Sequence, residues 1–212
     1  EVFFRLKQAF AVDDPRQRLE EIEKESVQLG ERAVEPLIEH LHHETDTMVT
    51  GKVYILLGRL YDSRALPTLV EGLSHPDNRC RANAVEAIGM LGDPEGLSYL
   101  IPFLEDPHNR VRGNAILALR AANDVDIKTP IMSLVEHSEE FYQRTAVYVL
   151  SELQRPEYFP ILKRLTRAAF PVVRKNAHTA ISALVKAGFN VDSEDGSASG
   201  GESKAEQPVF TE

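Results

Sequence analysis

The sequence predicts an all-α protein, an α-solenoid of antiparallel helical hairpins stacked in one direction and wound into a right-handed superhelix. Three observations carry this reading. Asp14, Thr45, Pro76, Pro107, Ser138 and Ala169 each stand 31 residues after the one before, with no insertion. Inside the units, apolar or small residues recur at helical spacing, and Gly, Pro and Asp fall between the helices. Self-similarity at a period of roughly 20 to 50 residues marks chains whose units bury their apolar faces only against their neighbours.

The first helix of a unit follows from positions 4, 8, 11, 12 and 15 past each marker, which lie on one helical face. They read Val49, Val53, Leu56, Leu57 and Leu60 in one unit, and Cys80, Ala84, Ala87, Ile88 and Leu91 in the next. Val111, Ala115, Ala118, Leu119 and Ala122 continue the register, and Tyr142, Ala146, Val149, Leu150 and Leu153 keep it. Ala84, Ala115, Ala146 and Ala177 share one position, where a methyl group lets a neighbouring helix come close.

A turn ends that helix, seen best at Leu91-Gly92-Asp93-Pro94: Gly suits a left-handed C-cap and Pro the first turn of a new helix. The second helix carries its own stripe, such as Leu66, Leu69 and Leu73 or Phe159, Leu162 and Leu165. Pro36, Pro67 and Pro160 sit early in three of these helices, where a missing backbone donor matters least. His75-Pro76 and Asp106-Pro107 then open new units, because the residue before Pro is biased away from helix.

At the ends the pattern thins. Residues 1–13, with Phe3, Leu6 and Phe10 at helical spacing, read as a capping helix left from a preceding repeat, and residues 14–191 as five full repeats plus a final helix. The first unit offers only Leu19, Ile22, Ser26 and Leu29 amid glutamates, as a terminal repeat with a wet outer face should. Residues 192–212 turn to Ser, Gly, Glu and Asp, the composition of a flexible acidic tail, ending in a candidate docking peptide at Gln207-Pro208-Val209-Phe210. A chain opening on Glu1 without Met leaves room for further domains upstream of residue 1.

The Leu-Gly-Asp-Pro turn, the Asp106-Pro107 opening and the Arg-x-Arg-x-Asn-Ala run at 79–84, echoed at 110–115, resemble the HEAT-like repeats of the phycobilisome-lyase type. The resemblance covers residues 14–187 and is densest over 76–122. It implies a bacterial-style scaffold, or alternatively a bilin lyase or isomerase subunit acting on a phycobiliprotein. A nucleic-acid-binding role, as in HEAT-like alkylpurine DNA glycosylases, is disfavoured by a net charge of -9 and by the lack of Trp. Fold does not carry function, so the site has to decide.

No apolar run approaches the length that spans a bilayer, and the lone Cys80 on the buried stripe fits a reducing, cytoplasmic setting. His40, His42, His43, Glu44 and Asp46 are the one dense cluster of metal-capable residues, without the helical spacing of a zinc site. HEAT-like di-iron hydroxylases carry several His-Glu dyads, and this sequence has one, His43-Glu44. No metal, cofactor or catalytic residue is therefore expected. Arg81, Arg112 and Arg174 share one position, interrupted by Gln143, and should form a structural ladder with the turn residues Asp62, Asp93 and Asp124 in reach. If second helices line the concave side, then His40, Glu71, Ser98, Pro102, Ser133, Lys163, Arg164 and Arg167 form a groove for a partner protein or peptide, basic at its C-terminal end.

Overall fold

The structure, a computed structural model, describes residues 2–191. The proposed tail at 192–212, with its docking peptide, lies outside the described residues. Among those described, every regular element is helical, and no helix is long and apolar enough to cross a membrane.

Six long helices recur along the chain: α2 (Pro15–Leu29), α4 (Thr47–Arg59), α6 (Asn78–Leu91), α8 (Asn109–Ala118), α10 (Glu140–Leu153) and α12 (Pro171–Lys186). Shorter ones follow the first five of these: α3 (Val34–Leu41), α5 (Leu66–Gly72), α7 (Pro94–Ser98), α9 (Lys128–Val135) and α11 (Phe159–Leu165). The opening helix α1 (Val2–Phe10) packs on α2 and α3. The second helices are shorter than the apolar stripes suggest because proline removes donors from them. Short 3-10 turns at Gly30–Ala33, Ser63–Ala65 and Pro156–Tyr158 lead into α3, α5 and α11. In the third unit Pro102 cannot donate to Ser98, and the helix breaks into α7 and a 3-10 stretch, Ile101–Glu105.

The helix starts show how the sequence specifies them. Asp14, Asp46 and Asp77 are extended N-caps whose carboxylates accept the first free N–H groups of α2, α4 and α6. At α8 the acceptor is His108 Nδ1, and at α10 and α12 Glu139 and Phe170 make no side-chain cap. Gly92 ends α6 at φ 64° in the left-handed region, as its place in the turn predicts.

One continuous apolar seam runs between the two layers, from Leu6 and Ile22 through Leu57, Ile88 and Ile116 to Leu150, Leu162 and Leu184. Ala84, Ala115, Ala146 and Ala177 are fully buried in it. Consecutive first helices lie closer to one another along the stack than consecutive second helices do, although Leu66 on α5 packs on Gly96 of α7 and Arg64 pairs with Glu35 of α3. Gly58 on α4 faces Ala87 on α6, and Gly89 on α6 faces Ala118 on α8, so closely that an added Cβ would stand 2.7 Å from the neighbour in each case. A two-layered stack bends toward its closely spaced layer. The first helices therefore form the inner face and the second helices the outer, opposite to the arrangement anticipated from sequence.

Candidate functional site

The shared arginine position is structural in a specific way. Arg81 Nη1 donates to the carbonyls of His75 and Pro76 at 3.0 and 3.1 Å, closing the loop that leads into its own helix. Arg174 does the same to Ala168 and Ala169, both at 2.8 Å, and Gln143 reaches His137 O at 2.8 Å. Arg112 turns instead to Leu104 O and Ser133 Oγ. In the first unit Arg18 plays this part, donating to Val12 O and Asp13 O.

The turn aspartates stand away from this row. Arg81 lies in the first turn of α6 and Asp93 follows its end, so ten steps of helix, about 15 Å at 1.5 Å each, and the Gly92 turn separate them. Asp93 caps α7 through Gly96 N, and Asp62 accepts from Arg64 N and pairs with the Arg64 guanidinium. Asp124 is exposed, and Asp126 accepts from Lys128 N and Thr129 N instead. The carboxylates that do meet the arginines follow the second helices: Glu44 with Arg18 at 3.0 Å and Asp106 with Arg81 at 3.4 Å. The sequence pattern sets neither Glu44 nor Asp106 opposite an arginine, although each follows its arginine by 25 or 26 residues.

The row predicted to line the concave side is discontinuous. His40 is covered by α1: its ring stacks on Phe10 at 4.1 Å and its Nε2 sits 2.9 Å from Glu44 Oε2. Burial lowers the His40 pKa against the pull of Glu44. Burial also opposes the Glu44 carboxylate, but hydrogen bonds from Asp46 N and Arg18 outweigh it and hold that pKa down. Glu71, Ser98, Pro102 and Ser133 are exposed on the outer layer. Lys163, Arg164 and Arg167 border a hollow of about 920 Å³ together with Gln143, whose side chain is shorter than the arginines at the equivalent places. Cys80 donates Sγ–H to Thr47 O at 3.1 Å, and burial pushes its pKa up to about 11, so it is a packing thiol. Among the described residues no three His, Cys, Asp or Glu side chains gather as metal ligands.

The inner face holds a groove that the sequence reading did not single out. Two hollows, about 290 and 650 Å³, adjoin through Glu86 and Arg110 and cross α4, α6, α8, α10 and α12. Lys52, Arg59, Arg79, Arg110 and Arg144 line them, with Phe141 and Tyr148 toward the C-terminal end. Asparagines stitch the floor: Asn83 Nδ2 donates to Gly51 O at 2.8 Å and Asn114 Nδ2 to Ala82 O at 2.9 Å. Arg110 Nη2 is held by Asn83 Oδ1 at 3.2 Å. The signal for this face was present, since Arg79 and Arg110 share one repeat position and Asn83, Asn114 and Asn176 another. Shared positions alone do not say which layer lies inside, so they do not mark a groove by themselves.

A profile of HEAT repeats matches residues 34–120 and 97–184 of this sequence. The chain belongs to the HEAT-repeat family. Solved structures share its HEAT-repeat architecture at low sequence identity. One is the complex of CpcE and CpcF of phycocyanin lyase from Nostoc sp. PCC7120, with a TM-score of 0.54 and 23% identity over 84% of this chain and 76% of that one. Another is a designed armadillo repeat protein in complex with a (KR)4 peptide, at TM-score 0.51 and 19% identity over 87% of this chain and 99% of that one. An engineered protein matches at TM-score 0.50 and 18% identity, over 87% and 96% of the two chains. No curated protein is a significant match to this HEAT-repeat chain.

Proposed function

We propose that the protein is a non-catalytic interaction scaffold or regulatory module that binds a segment of a partner protein along its inner face. The observation that carries this is the groove itself, continuous over consecutive first helices and lined by side chains repeated at matched positions. Stacked repeats gather equivalent positions into one extended surface, which suits an extended ligand better than a small molecule. The similar armadillo design holds a peptide, and the similar lyase chains form a complex with each other. The covered side chains His40, Glu44, Cys80 and Asp106 are engaged in holding the fold, which favours binding over chemistry. Residues 14–191 act as the binding module, with residues 1–13 as its cap.

Peptides selected from a random displayed library on the immobilised protein test this. Binding should fall in Tyr148→Ala and persist in Glu71→Arg and Arg164→Ala, which alter the outer face. The reverse pattern overturns the reading. The bilin lyase alternative rests on shared fold and is tested separately: mixing the protein with a bilin and an apo-phycobiliprotein should leave the visible absorbance unchanged.

A further inference from the structure

We infer that the segment bound on the inner face is an extended acidic stretch of another protein, with carboxylates about three residues apart and an aromatic or aliphatic side chain at one end. This rests on the proposed scaffold role and names the chemistry of its ligand.

The first argument is charge. The whole chain carries -9, yet Lys52, Arg59, Arg79, Arg110 and Arg144 line one groove. Glu86 is the carboxylate among the lining residues, and it already accepts from Asn114 Nδ2 at 3.2 Å. Lys52, Arg59 and Arg110 have no carboxylate within 4.0 Å among the described residues. Arg79 pairs with Asp77 at 3.6 Å and Arg144 with Glu140 at 3.7 Å, so Lys52, Arg59 and Arg110 are the cations to which an acidic ligand brings a carboxylate.

The second argument is spacing. Arg79 and Arg110 occupy the same position in consecutive repeats. Neighbouring helices pack at roughly 8–10 Å, and an extended chain advances about 3.1–3.4 Å per residue. Three ligand residues therefore cross one repeat, which sets the period of the carboxylates.

The third is the change of character along the groove. Phe141 and Tyr148 are 61% and 51% exposed and flank its C-terminal end, with the Arg144 guanidinium 6.0 Å from the Phe141 ring. Large apolar side chains left open beside a basic stretch fit a ligand that is acidic at one end and apolar at the other.

Fluorescence anisotropy on the full chain provides the test. The probes are a labelled short peptide with Asp at every third residue and a terminal Phe, the same composition with the aspartates clustered, a Lys-for-Asp version, and a single-stranded oligonucleotide. The spaced acidic peptide should bind best and weaken with added salt. Its affinity should fall about ten-fold or more in Arg79→Glu/Arg110→Glu. Arg59→Glu/Arg144→Glu, which leaves the Arg110–Asn83 bond intact, should act alike, with unchanged helical circular dichroism confirming folding. Equal or tighter binding of the basic peptide or the oligonucleotide, or indifference to both charge reversals, overturns the inference. Library peptides that need Tyr148 but are not acidic sink this inference alone, whereas failure of every peptide at the inner face sinks the scaffold reading with it.

Discussion

Gly58 meets Ala87 so closely that a Cβ on Gly58 would lie 2.7 Å from the Ala87 Cα and 2.9 Å from its Cβ. Backbone on the far side cannot yield as a flexible side chain does. Replacing a helical glycine by alanine ordinarily gains up to about 1 kcal/mol. Gly58→Ala should instead lose about 1–3 kcal/mol through overpacking. Urea unfolding followed by circular dichroism measures the sign, and a gain would mean that the two helices can part without cost.

The uneven capping of the first helices gives a pair of opposite expectations. Asp77 accepts from Arg79 N at 2.8 Å and Cys80 N at 3.2 Å, so Asp77→Ala should cost about 1 kcal/mol. Glu139 occupies the same place before α10 with extended backbone but no capping bond, so Glu139→Asp should stabilise by a similar amount, about 1 kcal/mol. Thermal midpoints of the two variants should move in opposite directions.

Acidification should loosen the stack at His40 near the N-terminal end and at His108 before α8, since burial lowers both pKa values. Burial lowers the His40 pKa below 6.5, so below that pH the unfolded chain takes up a proton that the folded one resists, and stability falls. Glu44 is held below 4.5, so its contribution is complete above that value and is lost as the pH drops through its folded pKa. His40→Gln retains a donor toward Glu44 and cannot titrate. It should flatten the dependence of the melting temperature on pH just below 6.5, while leaving the fall at lower pH intact.

Excision of one period should leave a shorter helical stack, but not every period is equally dispensable. Removing residues 76–106 sets Gly58 against Ala118 and brings Asn114 to the Gly51 carbonyl, repeating pairings already present. Removing 107–137 sets Gly89 against the bulkier Val149 and offers Thr145 where Asn114 bonded Ala82 O. The first deletion should melt at the higher temperature, and removal of half a period should aggregate. Equal behaviour of all three would show that the units do not act as modules.

The hairpins, their register and the core were legible because burial repeats with the helix: the alanines at the shared position and the leucine stripes face the seam. The inner layer was not legible, because curvature depends on which helices approach more closely, and that follows from Gly58, Gly89 and their alanine partners acting across repeats. The ladder acids were misplaced for a similar reason. Asp62 and Asp93 share a repeat position, but matched positions become neighbours only sideways along the stack, while Arg81 and Asp93 are separated lengthwise along one hairpin. His40 looked exposed until α1 laid Phe10 over it, a contact between segments whose pairing no local pattern announces.

Because the inner helices approach one another more closely than the outer ones do, the repeats are joined as pages are bound along a spine. The outer edges are the looser side, while the Gly–Ala seams of the inner layer act as the binding. A ligand lying across several inner helices would bridge successive pages, so its arrival should stiffen the whole length of the protein.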